Sequence, residues 1–100
     1  MPIDSDGWAN RGWLEIIYRI LELCDKNRFK THVMYETGLN SRQLKEYLDF
    51  LVRCGMLHMT RVYPTSRRHF YRTTDKGKDF VARYKELVAL FKIPQVQTTV

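Results

Sequence analysis

Between Arg61 and Arg72 the sequence RVYPTSRRHFYR carries four arginines and no acid. Guanidinium groups gathered this closely repel one another, and a polyanionic partner relieves that repulsion. Arg61, Arg67, Arg68 and Arg72 are therefore candidates for contact with a nucleic-acid backbone; the alternative is a merely soluble loop. Lys30 and Thr31 open a short helical segment, where side chain, backbone N–H groups and helix dipole all favour a phosphate. A third group, Ser41, Arg42, Gln43, Lys45 and Glu46, opens a longer helix. Arg or Lys can pair with guanine O6 and N7, Gln with adenine N6 and N7, and Glu can accept from cytosine N4. The plainer reading of this third group is a solvated face of mixed charge, and Glu46 and Asp49 count against simple phosphate binding.

Other chemistries find no footing. His32, His58 and His69 lie far apart, and neither they nor Cys24 and Cys54 show zinc-ligand spacing, so no metal is expected. There is no glycine-rich phosphate loop, nucleophile elbow or H-E-x-x-H pair, which leaves catalysis and cofactors without a visible site. Trp8 and Trp13 could stack on a ligand, but aromatics beside a helix start more often close off a small core.

The elements that must position these residues are bounded by size and composition. One hundred residues, 44% hydrophobic, suffice for a single domain with one core. Two arginines and five acids leave residues 1–25 at −3, so residues 26–100 carry +9 of the net +6. A basic body suggests a polyanionic partner, though basic balance alone is common. The most apolar stretch, WLEIIYRILEL, is interrupted by Glu15, Arg19 and Glu22, which argues against a membrane span. The N-terminus lacks the basic and apolar regions of a secretory signal. The expected location is cytoplasmic, associated with the nucleoid, with both cysteines as buried thiols.

Trp13, Ile16, Ile17, Ile20, Leu21 and Cys24 recur at helical spacing and predict a helix over 13–24. DKNRFK interrupts it, and Thr31 is positioned to cap a second helix, THVMYET, ending at Gly38. Asn40 or Ser41 caps a third helix to about residue 54, with Gln43 able to complete a capping box and Leu44, Tyr47, Leu48, Leu51 and Val52 facing inward. MLHMTRVY and RRHFYRT predict a β-hairpin about Pro64, Thr65 and Ser66, with Arg67 and Arg68 at its tip. Thr74 caps a last helix over 75–92, and residues 93–100 read as a flexible tail.

The predicted fold is mainly α with a small β-hairpin, in the order α-α-α-β-β-α. The whole chain is one domain, with residues 10–74 forming core and hairpin. The turn Gly38-Leu39-Asn40 joins two helices in the form of a helix-turn-helix, and the hairpin after it supplies a wing. The segment KTHVMYETGLNSRQLKEYLDFLVRCGML with FYRTTDKG resembles small archaeal winged-helix regulators and chromatin-associated proteins. The matches are Thr31, Val33, Leu39, Leu44, Tyr47, Leu48, Leu51, Gly55, Leu57, Tyr71, Thr74 and Gly77. The resemblance implies double-stranded DNA binding, sequence-specific or architectural, by a transcription regulator without enzymatic activity. Helix 41–54 would enter the major groove and the 61–72 wing would lie on the backbone. The alternative is a protein-interaction module of the same fold, since most matched positions are core or caps. Phe80, Tyr84, Leu87, Val88, Leu90 and Phe91 widen the apolar side of the last helix beyond what one small core needs. A homodimer through that helix is expected, as the resembling family dimerises through a long C-terminal helix; the alternative is that these residues complete a monomeric core with the first helix.

Overall fold

The structure, a computed structural model, describes residues 12–63 and 68–92. Its elements are α1 (Trp13–Leu23), β1 (Arg28–Phe29), α2 (Lys30–Thr37), α3 (Ser41–Arg53), β2 (Leu57–Arg61), β3 (His69–Thr73) and α4 (Asp75–Ala89). The helices and the hairpin stand where the periodicity places them. A two-residue strand, β1, is added between the first two helices, and the sheet is three-stranded and antiparallel in the order β1-β3-β2.

The core is a single cluster. Ile16, Ile17, Ile20, Leu21 and Cys24 of α1 and its end meet Val33 of α2, Leu44, Tyr47, Leu48 and Leu51 of α3, and Leu57 and Tyr71 of the sheet. Val52, expected inside, is half-buried and packs against the cluster's edge, as does Trp13. Trp8, the Pro64-Thr65-Ser66 turn, Arg67 and the 93–100 tail lie outside the described residues.

Two local predictions are corrected. Thr31 is not the cap of α2: the helix begins one residue earlier, at Lys30, and its cap position is Phe29, which offers no side-chain acceptor. The pairing of Phe29 with Phe70 extends the chain up to Lys30 and so sets where the helix begins. The last helix ends at Ala89, with Leu90 as its cap residue, rather than continuing to 92.

The turn between α2 and α3 follows from its residues. Gly38 takes φ 72, a left-handed conformation that glycine adopts without strain, and its N–H bonds the Met34 carbonyl. Leu39 is then buried, and Asn40 forms the expected capping box: its Oδ1 accepts from the Gln43 backbone at 2.8 Å, and Gln43 Oε1 accepts from the Asn40 N–H at 3.2 Å.

At the other end of the sheet, buried Thr73 ties the wing's root to α1. Its hydroxyl donates to the Leu21 carbonyl at 2.6 Å and its N–H to the Cys24 carbonyl at 2.8 Å. Thr74 caps α4 through the Gly77 N–H and donates to the Gly55 carbonyl. Gly77 admits no side chain, because a Cβ there would run into the Met56 carbonyl and the Thr73 methyl.

Candidate nucleic-acid interface

α3 presents its polar residues outward because Leu44, Tyr47, Leu48 and Leu51 hold the opposite side in the core. Ser41, Arg42, Gln43 and Lys45 are exposed and Glu46 is half-buried. The two positive charges in the first half of the helix are matched within it. Arg42 lies 3.7 Å from Glu46, and Lys45 donates to Asp49 at 2.7 Å. The hydrogen bond from Lys45 to Asp49 holds the ammonium pKa above its ordinary value. Gln43, nominated as an adenine reader, has its carbonyl oxygen engaged in the capping box, leaving the side-chain NH2 to donate.

Lys30 joins the two helices of the turn: its ammonium donates to the Ser41 hydroxyl at 3.1 Å. Lys30 and Thr31 also line a cleft of about 150 Å³ with Phe29, Arg68, His69 and Tyr71. Three nominated groups, the start of α2, the start of α3 and the wing, are thereby brought around one corner of the domain. Thr31, no longer a cap, leaves its hydroxyl outside the helix's own end bonding, and α2 starts without a side-chain acceptor on its first N–H groups.

Among the described residues, the wing's arginines Arg61, Arg68 and Arg72 do not share one face of the sheet. Direct antiparallel partners share a face of a sheet, and alternate residues along a strand return to it. Leu57, Met59 and Arg61 therefore stand with Thr73, Tyr71 and His69, while His58 and Thr60 stand with Arg72 and Phe70. Arg61 is on the first face, which is buried at its Leu57 end; Arg72 is on the second. The ladder runs one step past the strand, with the Val62 N–H donating to the Arg68 carbonyl at 3.1 Å, so Arg68 belongs to the strand's end rather than the hairpin's tip. Tyr71 joins the first face to α3. Burial, and next the Asp49 carboxylate, push its phenol pKa above the ordinary value.

Sequence reasoning missed Phe29, His69 and Tyr71 as cleft residues. The available signal was the interleaving of aromatic and basic residues in RFK and RRHFYR. It also missed Tyr35, which is 85% exposed on α2.

The six residues nominated for dimerisation divide into two sets. Phe80 and Tyr84 are half-buried within the domain: Tyr84 stacks on Tyr18 of α1 with centroids 4.6 Å apart, and on Phe80 at 5.9 Å. Beside them Lys85 lies 3.6 Å from Glu22, which accepts from the Tyr18 hydroxyl and so raises that phenol's pKa. Leu87, Val88, Leu90 and Phe91 are exposed, by 52%, 41%, 78% and 81%.

Cys24 is buried, and burial pushes its thiol up to about 12, whereas Cys54 is only half-buried, against the expectation of two buried thiols. Among the described residues no group of three or more His, Cys, Asp or Glu could hold a metal ion, and no helix is long and apolar enough to cross a membrane.

A sequence profile of the winged helix-turn-helix family matches residues 10–92. A Methanocaldococcus jannaschii protein is 27% identical over 97 residues, covering 92% of this chain and 90% of its own. Among solved structures, Sso10a-2, a DNA-binding protein from Sulfolobus solfataricus, is similar with a TM-score of 0.71 and 32% identity, over 80% of this chain and 81% of that one. The PcaV transcriptional regulator from Streptomyces coelicolor is similar with a TM-score of 0.67 and 25% identity, over 74% and 56% of the two chains.

Proposed function

Starting from a chain that belongs to the winged helix-turn-helix family, we propose that it is a transcriptional regulator that binds double-stranded DNA as a homodimer. α3 lies in the major groove, where Ser41, Arg42, Gln43, Lys45 and Glu46 meet base edges. Lys30, Thr31, Arg61, Arg67, Arg68 and Arg72 hold the phosphate backbone on either side. Such a protein works with the nucleoid in the cytoplasm, and no catalytic step is part of this reading.

The observation that carries the reading is the corner at Lys30. Its ammonium bonds Ser41 at the head of α3, and it lines one cleft with Arg68 and His69 of the wing. Residues remote in sequence are thus set on one side of the domain, at a spacing where one duplex can touch both. The similarity to Sso10a-2, itself described as a DNA-binding protein, supports the same conclusion.

The second copy docks on the C-terminal end of α4. Thr73, just ahead of α4, bonds the Leu21 and Cys24 carbonyls at the end of α1, and Tyr84 further along α4 stacks on Tyr18 further back along α1, so the two helices run side by side in opposite directions. Leu14 on α1 and Val88 on α4 are both exposed, each by 41%. Leu87, Leu90 and Phe91 extend this into an apolar patch that an isologous contact would cover in both chains.

Titrating a fluorescent duplex at increasing salt tests the reading. Neutralising roughly four to eight phosphates gives a slope of about −4 to −7 in log K against log salt. A protein-interaction module would show no binding at low salt, or binding indifferent to salt.

A further inference from the structure

The Tyr71 ring belongs to the buried core, and only 8% of the residue is exposed. It nevertheless lines the cleft at the start of α2. A phenol buried to this degree ordinarily gives its hydroxyl a partner within the protein. Among the described residues the Tyr71 hydroxyl makes no hydrogen bond, and it is not sealed from solvent. Burial, and next the Asp49 carboxylate, hold the phenol pKa above its ordinary value, so the hydroxyl keeps its proton and can donate.

Two more donors with capacity to spare line the same cleft. Lys30 gives one N–H to Ser41 at 3.1 Å, and an ammonium has three. Thr31 is exposed, and its hydroxyl makes no hydrogen bond among the described residues. Phe29 forms part of the wall, stacked on Phe70 with centroids 4.6 Å apart, and supplies no side-chain acceptor to the first N–H groups of α2. None of the lining residues carries a carboxylate. A cleft of about 150 Å³ that offers donors without an acid suits a group that only accepts, as the two charged oxygens of a phosphodiester do.

We propose that Tyr71 is a DNA-contacting residue whose hydroxyl donates to a backbone phosphate held in this cleft by Lys30 and Thr31. The proposal rests on the DNA-binding reading and adds to it a neutral donor that comes from the core. Core packing already fixes the ring, so little rotamer freedom is lost when the phosphate binds. A phenol also releases no counterion on binding. Its contribution is therefore to affinity and not to salt dependence, which separates it from the basic residues around it.

The test is duplex affinity over a range of salt for the wild type, Tyr71→Phe, Lys30→Met and the double variant, with chemical denaturation of each. Tyr71→Phe removes one oxygen that bonds nothing in the domain, so stability should be that of the wild type. Duplex binding should weaken about 5- to 20-fold, the range of one hydrogen bond to a charged group partly open to water. The salt slope should stay as in the wild type, whereas Lys30→Met should lower it by about one. Because both residues hold one phosphate, the Tyr71→Phe loss should shrink in the Lys30→Met background. Wild-type affinity in Tyr71→Phe, a loss of affinity that comes with a loss of stability, or an equal loss in both backgrounds overturns the contact while leaving duplex binding intact. A folded wild type that binds no duplex at low salt removes the DNA-binding reading, and the proposal with it.

Discussion

The outer side of α3 and the wing are both basic, yet they hold their charge differently. On α3 each forward cation faces an acid one turn on, Arg42 with Glu46 and Lys45 with Asp49. In the wing, residues 61–72 contain no acid, and Arg68 rests on the Phe29 ring. A cation already paired must exchange its partner when DNA arrives. The exchange gains little on a generic phosphate and depends on the base edge offered. A segment that contains no acid of its own presents a positive field that acts on any phosphate. On the proposed reading, the comparison leads to an expectation that α3 carries sequence preference and the wing general affinity, with the two joined at Lys30.

The largest effect should come from removing the second copy of both regions. Leu87→Asp with Phe91→Asp places charge on the exposed end of α4, away from the core, and should give a folded monomer by sedimentation. Loss of bivalent engagement would weaken a two-fold DNA site by about 10²- to 10⁴-fold. A wild type that is already monomeric at tens of micromolar removes the dimer from the account.

Next, Arg68→Ala with Arg72→Ala should weaken all duplexes alike and reduce the salt slope by about two, one for each phosphate contact. If the loss depends on sequence, the wing reads bases and the division of labour fails.

Smaller again, Asn40→Ala removes the capping box and should lower stability by about 1 kcal/mol in chemical denaturation. Because the cap also holds Gln43, it should disturb base preference more than it disturbs affinity for random DNA.

The smallest effect is kinetic, and it compares the two regions within the folded state. The Cys24 backbone carbonyl accepts from the Thr73 N–H at the wing's root, and Cys54 ends α3. Cys54, half-buried, should react with a thiol reagent in the native protein, whereas Cys24 should react only on opening. The thiol of Cys24 stands near 12 when folded and 9.0 otherwise. Its burial therefore supports stability in full below pH 9, and that support is lost as pH rises from 9 towards 12. Replacing Cys24 with Ala should flatten the alkaline part of the stability profile.

Much of this arrangement was legible in the sequence where a pattern repeats. Helix α3 carried both signals a sequence offers, a five-residue apolar stripe and a cap with its box at Asn40 and Gln43. α1 and the two longer strands were legible for the same reason. β1 was not, because two residues, Arg28 and Phe29, cannot show alternation, and their strand character comes from pairing with β3. Missing β1 displaced the start of α2 and made Thr31 look like a cap. It also hid the Phe29–Phe70 stack, which exists only across strands. The charge of the candidate site could be counted from the sequence, but the split of the wing's arginines between two faces depends on register. The i to i+4 ion pairs on α3 were implicit in the spacing and went unread, since nominating each side chain for a base passed over its neighbour one turn away. For α4 the wide apolar circumference was visible, but it took the stack on Tyr18 to assign Phe80 and Tyr84 to the domain's own packing.

Selecting bound sequences from random duplex DNA, with the wild type, with Arg42→Ala plus Lys45→Ala, and with Arg68→Ala plus Arg72→Ala, tests the central claim most directly. The account predicts that the wing variant recovers the wild-type motif at uniformly lower affinity. It predicts that the α3 variant loses or changes the motif, with each altered base pair discriminated less by about 1–3 kcal/mol. A wing variant with a new motif beside an α3 variant with the old one would contradict it.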